Sequence, residues 1–145
     1  MSETVIELLE PDRVQLYWPE IVRQLNECPQ VWRKWWTLDA LYDAAAAHYI
    51  QCWAVGTEDS IHGMAFSRIT ELPTGSFFQV FLSCGHGLIE KADEIEATWE
   101  RFADYHNCVM AEINGRPGWE RVLKKRGFEK TSTTMSKSLT KAKVN

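Results

Sequence analysis

The stretch Ser83–Lys91, SCGHGLIEK, sets two glycines around a histidine. An aromatic run, Ser76–Leu82 (SFFQVFL), stands before it, and a run with helical spacing follows. A glycine turn between a strand and a helix can hold an anion, because the first amides of a helix lack partners and lie at the positive end of its dipole. The same turn can also be no more than a turn, with Gly85 and Gly87 supplying positive φ. Glu112 is the second group capable of chemistry. It sits in the run Cys108–Ile113 (CVMAEI), and a carboxylate among apolar neighbours is a setting for a general base; pairing with Arg116 or Arg121 is the alternative. His86 is another candidate base, or simply a surface histidine. Cys84 and His86 lie two apart with no third orienting group, which is not how a thiol nucleophile and its base are built. Gln79 interrupts the aromatic run, either lining a site or facing a polar edge.

The pattern of the chain suggests the elements that would hold these groups. Val5–Leu9 reads as a strand, and Trp18–Glu27 as a helix with Pro19 at its start. Residues from Val31 through the alanine run to Tyr49 read as one helix, or as two with Thr37 as an N-cap. Tyr49–Val55, Ile61–Thr70 and Ser76–Leu82 read as an antiparallel meander. Leu88, Ala92, Ile95, Trp99 and Phe102 form a helical stripe starting inside the turn, with Glu90, Lys91, Asp93, Glu94, Glu96 and Glu100 on the solvent side. Cys108–Ile113 is a strand, and Pro117–Arg126 a helix closed by Gly127. Phe128–Leu139 is expected to be a last strand. The expected fold class is α/β (α+β), in the order β-α-α-β-β-β-α-β-α-β. A mixed, mostly antiparallel central sheet is flanked by helices on both faces. Residues 1–140 are expected to form a single domain and 141–145 a disordered tail.

The bulk numbers bound the function classes. The chain has 145 residues, 45% hydrophobic and 25% charged, as expected of an ordinary globular domain with a real core. The acidic N-terminus, MSETVIELLEPD, lacks the features of a secretory signal, and no apolar run is long enough to span a bilayer. A cytoplasmic location is expected. The four cysteines form no CxxC pair, so no metal site is expected and free thiols in a reducing compartment are the preferred reading. The net charge of −4 is uneven: nine Lys/Arg against two Glu from Arg116 onward, and seven basic against eighteen acidic residues before it. The basic end is either a solvated face or an attractor for a phosphate-bearing ligand; the acidic remainder disfavours nucleic acid. Trp32, Trp35 and Trp36 are core residues with one semi-exposed ring, or a patch for an acyl chain, a peptide or a partner subunit, a homodimer included.

This element order, with GRPGWERVLKKRGF (Gly115–Phe128) in the C-terminal third, resembles the GNAT family of acetyl-CoA-dependent N-acetyltransferases. It looks most like the divergent GNAT-like proteins of bacteriophages and prophages. The resemblance in motifs covers about Cys84–Ile89 and Arg116–Phe128. It implies that the strand before the main helix splays from its neighbour, that the pantetheine of acetyl-CoA lies in the gap, and that the diphosphate sits on the turn. The implied cofactor-binding residues are Cys84, Gly85, His86, Gly87, Leu88, Ile89 and Arg116; the implied catalytic groups are Glu112 and His86. Gly87 matches the family's central glycine. Cys84 stands where the family has Arg or Gln, and Ile89 where it has a small residue. Leu123 replaces the tyrosine that protonates the leaving thiolate, and leucine cannot donate a proton. The resemblance therefore implies a degenerate acetyl-CoA site, or none, in a virion component or a binder of host proteins, with a phage structural or host protein as partner. The alternative is an active N-acyltransferase acting on a protein or small-molecule amine.

Overall fold

The structure is a computed structural model that describes residues 4–57, 60–114, 117–131, 135, 137 and 139. Its elements are β1 (Val5–Leu8), α1 (Pro11–Glu27), a 3-10 turn (Gln30–Lys34), α2 (Leu38–Ala46), β2 (Gln51–Gly56), β3 (Ile61–Leu72), β4 (Gly75–Gly85), α3 (Ala92–Tyr105), β5 (Cys108–Ile113) and α4 (Pro117–Lys124). The strands form one sheet in the order β1-β2-β3-β4-β5. Every neighbouring pair is antiparallel except β4–β5, which is parallel. The mixed, mostly antiparallel sheet inferred from the sequence is therefore what the chain forms.

Helix α1 begins at Pro11, not at Trp18 as the sequence suggested. Pro11 fits the first helical position, where no amide donor is needed. Pro19 then falls inside the helix and is tolerated because the buried stripe Val14, Ile21 and Leu25 anchors both halves. The next helical stretch is divided in two: Thr37 Oγ1 accepts from the Ala40 amide at 3.0 Å and caps α2. This layer closes one core, in which Ile21, Leu25 and Leu41 meet Met64, Phe66 and Cys84 of the sheet. Helices α3 and α4 cover the opposite face, where Ile95, Trp99, Trp119 and Leu123 meet Trp53, Phe78 and Val80. Each fully buried side chain of this size contributes about 1.5–3 kcal/mol.

Strand β4 serves both cores because it carries a bulge. Ser67 pairs with Val80 and Phe66 with Leu82, leaving Phe81 as the extra residue. Before it, Phe78 and Val80 face α3 and α4. After it, Leu82 and Cys84 face α1 and α2. The bulge thus reverses the facing of every later β4 side chain.

Two further expectations are corrected. Glu96 does not sit on a solvent face. It is buried, and Arg126 donates to its Oε2 from Nε at 2.9 Å and from Nη2 at 2.6 Å. Nor do Phe128–Thr131, Met135, Lys137 and Leu139 belong to a strand; the rest of that segment and the 141–145 tail lie outside the described residues. Helix α4 ends at Lys124, two residues before the expected Arg126, and the turn after it closes on Gly127 with φ of 91°. The amides of Gly127 and Phe128 donate back to the carbonyls of Lys124 and Leu123, a cap that turns Phe128 inward onto the α3/α4 core.

Candidate active site

Strands β4 and β5 run side by side only part of the way. The pairing ends at Val80 and Ile113, and the Asn114 amide closes it by donating to the Val80 carbonyl at 2.8 Å. From Phe81 to Ser83, β4 continues against β3 but has no β5 partner among the described residues. The parting coincides with the Phe81 bulge. A cleft of about 1650 Å³ opens there. Its lining reaches Trp36, Arg68 and Phe81 on the α1/α2 side, and Trp99, Trp119 and Leu123 on the α3/α4 side. Along β4 that lining stops at Ser83. The indole N–H groups of Trp32, Trp99 and Trp119, all buried residues of this wall, have no acceptor among the described residues.

The turn lies beyond Ser83. It begins later than the sequence suggested, since Ser83–Gly85 are still strand, and α3 starts at Ala92, not at Leu88. The two glycines prove different. At Gly85, φ is 97° and an added Cβ would lie 2.4 Å from Gly63 Cα and 2.5 Å from the His62 carbonyl, so its role is close packing against β3. At Gly87, φ is 80° and a Cβ would meet nothing within 4 Å. The His86 amide is taken by the His62 carbonyl at 2.9 Å. The next four amides, Gly87, Leu88, Ile89 and Glu90, donate to no acceptor among the described residues. Unused N–H groups beside a glycine with an open Cβ side are the kind of donor that a phosphate recruits.

The other residues singled out in the sequence fall as follows. The Cys84 and Leu88 side chains are sealed in opposite cores, so only their backbone can face a ligand. Ile89 is 39% exposed, and its Cδ1 lies 3.8 Å from where a Cβ on Gly118 would stand, so its bulk is directed to the start of α4. His86 is exposed and does not line the cleft. Arg116 lies outside the described residues. Leu123 is buried in the cleft wall.

Glu112 does line the cleft, on the face shared with Gln79, its partner in register. Gln79 Nε2 donates to Glu112 Oε1 at 2.8 Å. Gln79 Oε1 in turn accepts from Thr70 Oγ1 at 2.9 Å and from Arg68 Nε at 3.2 Å. Gln79 itself does not line the cleft; it supports Glu112 and Arg68, which do. Trp36 was picked out from the sequence as part of the tryptophan cluster, but Arg68 was not. The available signal was the alternation of Arg68 and Thr70 on β3 beside Gln79, the polar residue that interrupts the aromatic run of β4.

The whole chain has close counterparts in shape. A GNAT family acetyltransferase of Staphylococcus aureus superposes with a TM-score of 0.65 at 13% identity, over 96% of this chain and 100% of that one. An aminoglycoside acetyltransferase from an uncultured soil metagenomic sample, solved with trehalose, gives 0.67 at 14%, over 94% and 97%. An aminoglycoside N-acetyltransferase solved with CoA gives 0.64 at 14%, over 95% of each. The chain has the GNAT acetyltransferase fold. No family model matches the sequence, and no curated protein matches it significantly. Within this GNAT fold, the β4–β5 parting, the Phe81 bulge and the amides of Gly87–Glu90 lie in succession along the chain. No helix among the described residues is long and apolar enough to cross a membrane.

Proposed function

We propose that this protein is an acyl-CoA-dependent N-acyltransferase, with acetyl-CoA as the donor. The observation that carries the reading is the parting of β4 and β5 at Val80, next to a turn whose four amides are unused. The free N–H groups of Gly87–Glu90 would hold the diphosphate, and the edge of Phe81–Ser83 would receive the pantetheine arm by strand-like hydrogen bonds. The bound donor supplies an acyl thioester. The chain's part is to place an amine and take its proton. Glu112 is the group for that: Gln79 occupies Oε1, and Oε2 accepts no hydrogen bond among the described residues. A proton from the acceptor ammonium would pass to Oε2, directly or through one water. With leucine at 123, the leaving thiolate would take its proton from solvent.

A second reading follows from that same leucine. Leucine at 123 in place of the tyrosine proton donor, together with Ile89 where a small residue is usual, suits a GNAT-like domain kept for binding a partner, such as a phage structural or host protein. Calorimetric titration with acetyl-CoA separates the two. Binding is expected, with about 2.7 kcal/mol of added stability at 100 times Kd. Absence of binding at millimolar ligand would overturn the enzyme reading and leave the partner reading.

A further inference from the structure

We infer that the α1/α2 side of the cleft is an acceptor subsite for an α-amino acid with a flat apolar side chain. The inference rests on the acyl-transfer reading for its purpose, although the subsite can be tested without it.

Three features stand together on this wall. Glu112 offers an anionic oxygen, Oε2, that nothing among the described residues occupies. The Arg68 side chain is exposed and makes no ion pair among the described residues; it donates from Nε to Gln79, and its Cζ lies 5.2 Å from the Phe81 ring centroid. Phe81 is stacked on Trp36, with centroids 5.2 Å apart and planes at 15°. All of these except Gln79 line the cleft.

The position of Gln79 gives the arrangement its logic. Its carboxamide takes Arg68 on one end and Glu112 on the other, so the cation and the anion are kept from neutralising each other. The two hydrogen bonds and the carboxamide between them put the charged groups at most roughly 8 Å apart. An α-amino acid carries an ammonium and a carboxylate about one residue's width apart, and with a hydrogen bond at each end it spans a gap of this size. Its ammonium would sit on Glu112, where its proton is needed, and its carboxylate on the guanidinium fork. The stacked Trp36–Phe81 pair beside Arg68 then offers a flat apolar surface to the side chain.

The test is calorimetry with L-phenylalanine, phenethylamine, 3-phenylpropanoate and L-alanine, with and without saturating CoA. L-Phenylalanine is expected to bind about tenfold or more tighter than each of the others, the difference a charge-assisted hydrogen bond or a buried ring makes. Arg68→Gln should erase the preference over phenethylamine and leave that over L-alanine; Trp36→Leu should do the reverse. Equal binding of all four, or no binding of L-phenylalanine under either condition, would overturn the inference. The separate CoA titration keeps the two claims apart. Should CoA bind and L-phenylalanine not, the subsite falls alone; should L-phenylalanine bind and CoA not, the subsite stands and the transfer reading falls.

Discussion

Gln79 and Glu112 meet side chain to side chain across the parallel β4–β5 ladder, 2.8 Å from Nε2 to Oε1, one rung before the strands part. The orientation of the carboxamide is set from behind, because its oxygen already accepts from Thr70 and Arg68. Its amino group must therefore face the carboxylate, and only one oxygen of Glu112 remains for chemistry. Glu112→Gln removes that proton acceptor and leaves the turn untouched. The expected result is a loss of about 10²-fold or more in the rate of transfer, with CoA affinity unchanged. Steady-state kinetics beside a CoA titration check this; an unaltered kcat would remove Glu112 from the chemistry.

The two turn glycines should respond oppositely to the same change. Gly85→Ala drives a methyl into the backbone of Gly63 and His62, and at φ of 97° it is strained besides. A cost of about 3 kcal/mol or more is expected. Gly87→Ala meets open space, so only the backbone strain of about 1–2 kcal/mol remains. Its methyl would instead stand where the diphosphate is to sit, weakening CoA binding about tenfold. Thermal denaturation and CoA calorimetry on both variants read the contrast directly.

The difference between these glycines marks how far the sequence could be read. The G-x-G spacing pointed to a strand-to-helix turn, but which glycine packs and which stays open depends on β3, far away in the chain. The meander and the Leu88–Phe102 stripe were legible because their periods, two and three to four, follow from which face is buried. The start of α1 was not, since Pro11 and Pro19 both satisfy the local rule for a first helical residue and only the buried Val14 decides between them. The solvent-face reading of Glu96 failed because its partner, Arg126, lies 30 residues on. Phe128 looked like a strand opening, and its turn inward is fixed by the cap at Gly127. Glu112 was legible as a residue; its link to Arg68 through Gln79 needed the register of three strands.

The clamp between α3 and α4 should be asymmetric under mutation. Arg126 binds buried Glu96 through two nitrogens and Asp93 through Nη1 at 2.7 Å. Glu96 also sits beside Glu100, whose pKa it raises by hydrogen bonding and repulsion. Arg126→Met leaves the Glu96 carboxylate buried and unpaired, and should lower the stability of the fold. Adding Glu96→Leu to it should restore part of that loss. A double variant less stable than Arg126→Met in urea denaturation would contradict the account.

The thiols divide by burial. Cys52 and Cys84 are sealed in the sheet, and burial pushes the Cys52 thiol up to about 12. Cys108 is half-buried and also raised by burial, and Cys28 is half-buried at the cleft. Alkylation of the native protein should label Cys28 first and never Cys52 or Cys84 until the fold is opened, as peptide mass spectrometry would record. Early labelling of either buried thiol would show that the α1/α2 layer is not closed.

The central claim is tested most directly by following the backbone amide NMR signals as CoA is added. The account predicts that Gly87, Leu88, Ile89 and Glu90 shift first and furthest, joined by residues along Phe81–Ser83, while β1 and the middle of α1 stay still. Signals at Gly87–Glu90 that do not move at millimolar CoA would contradict it.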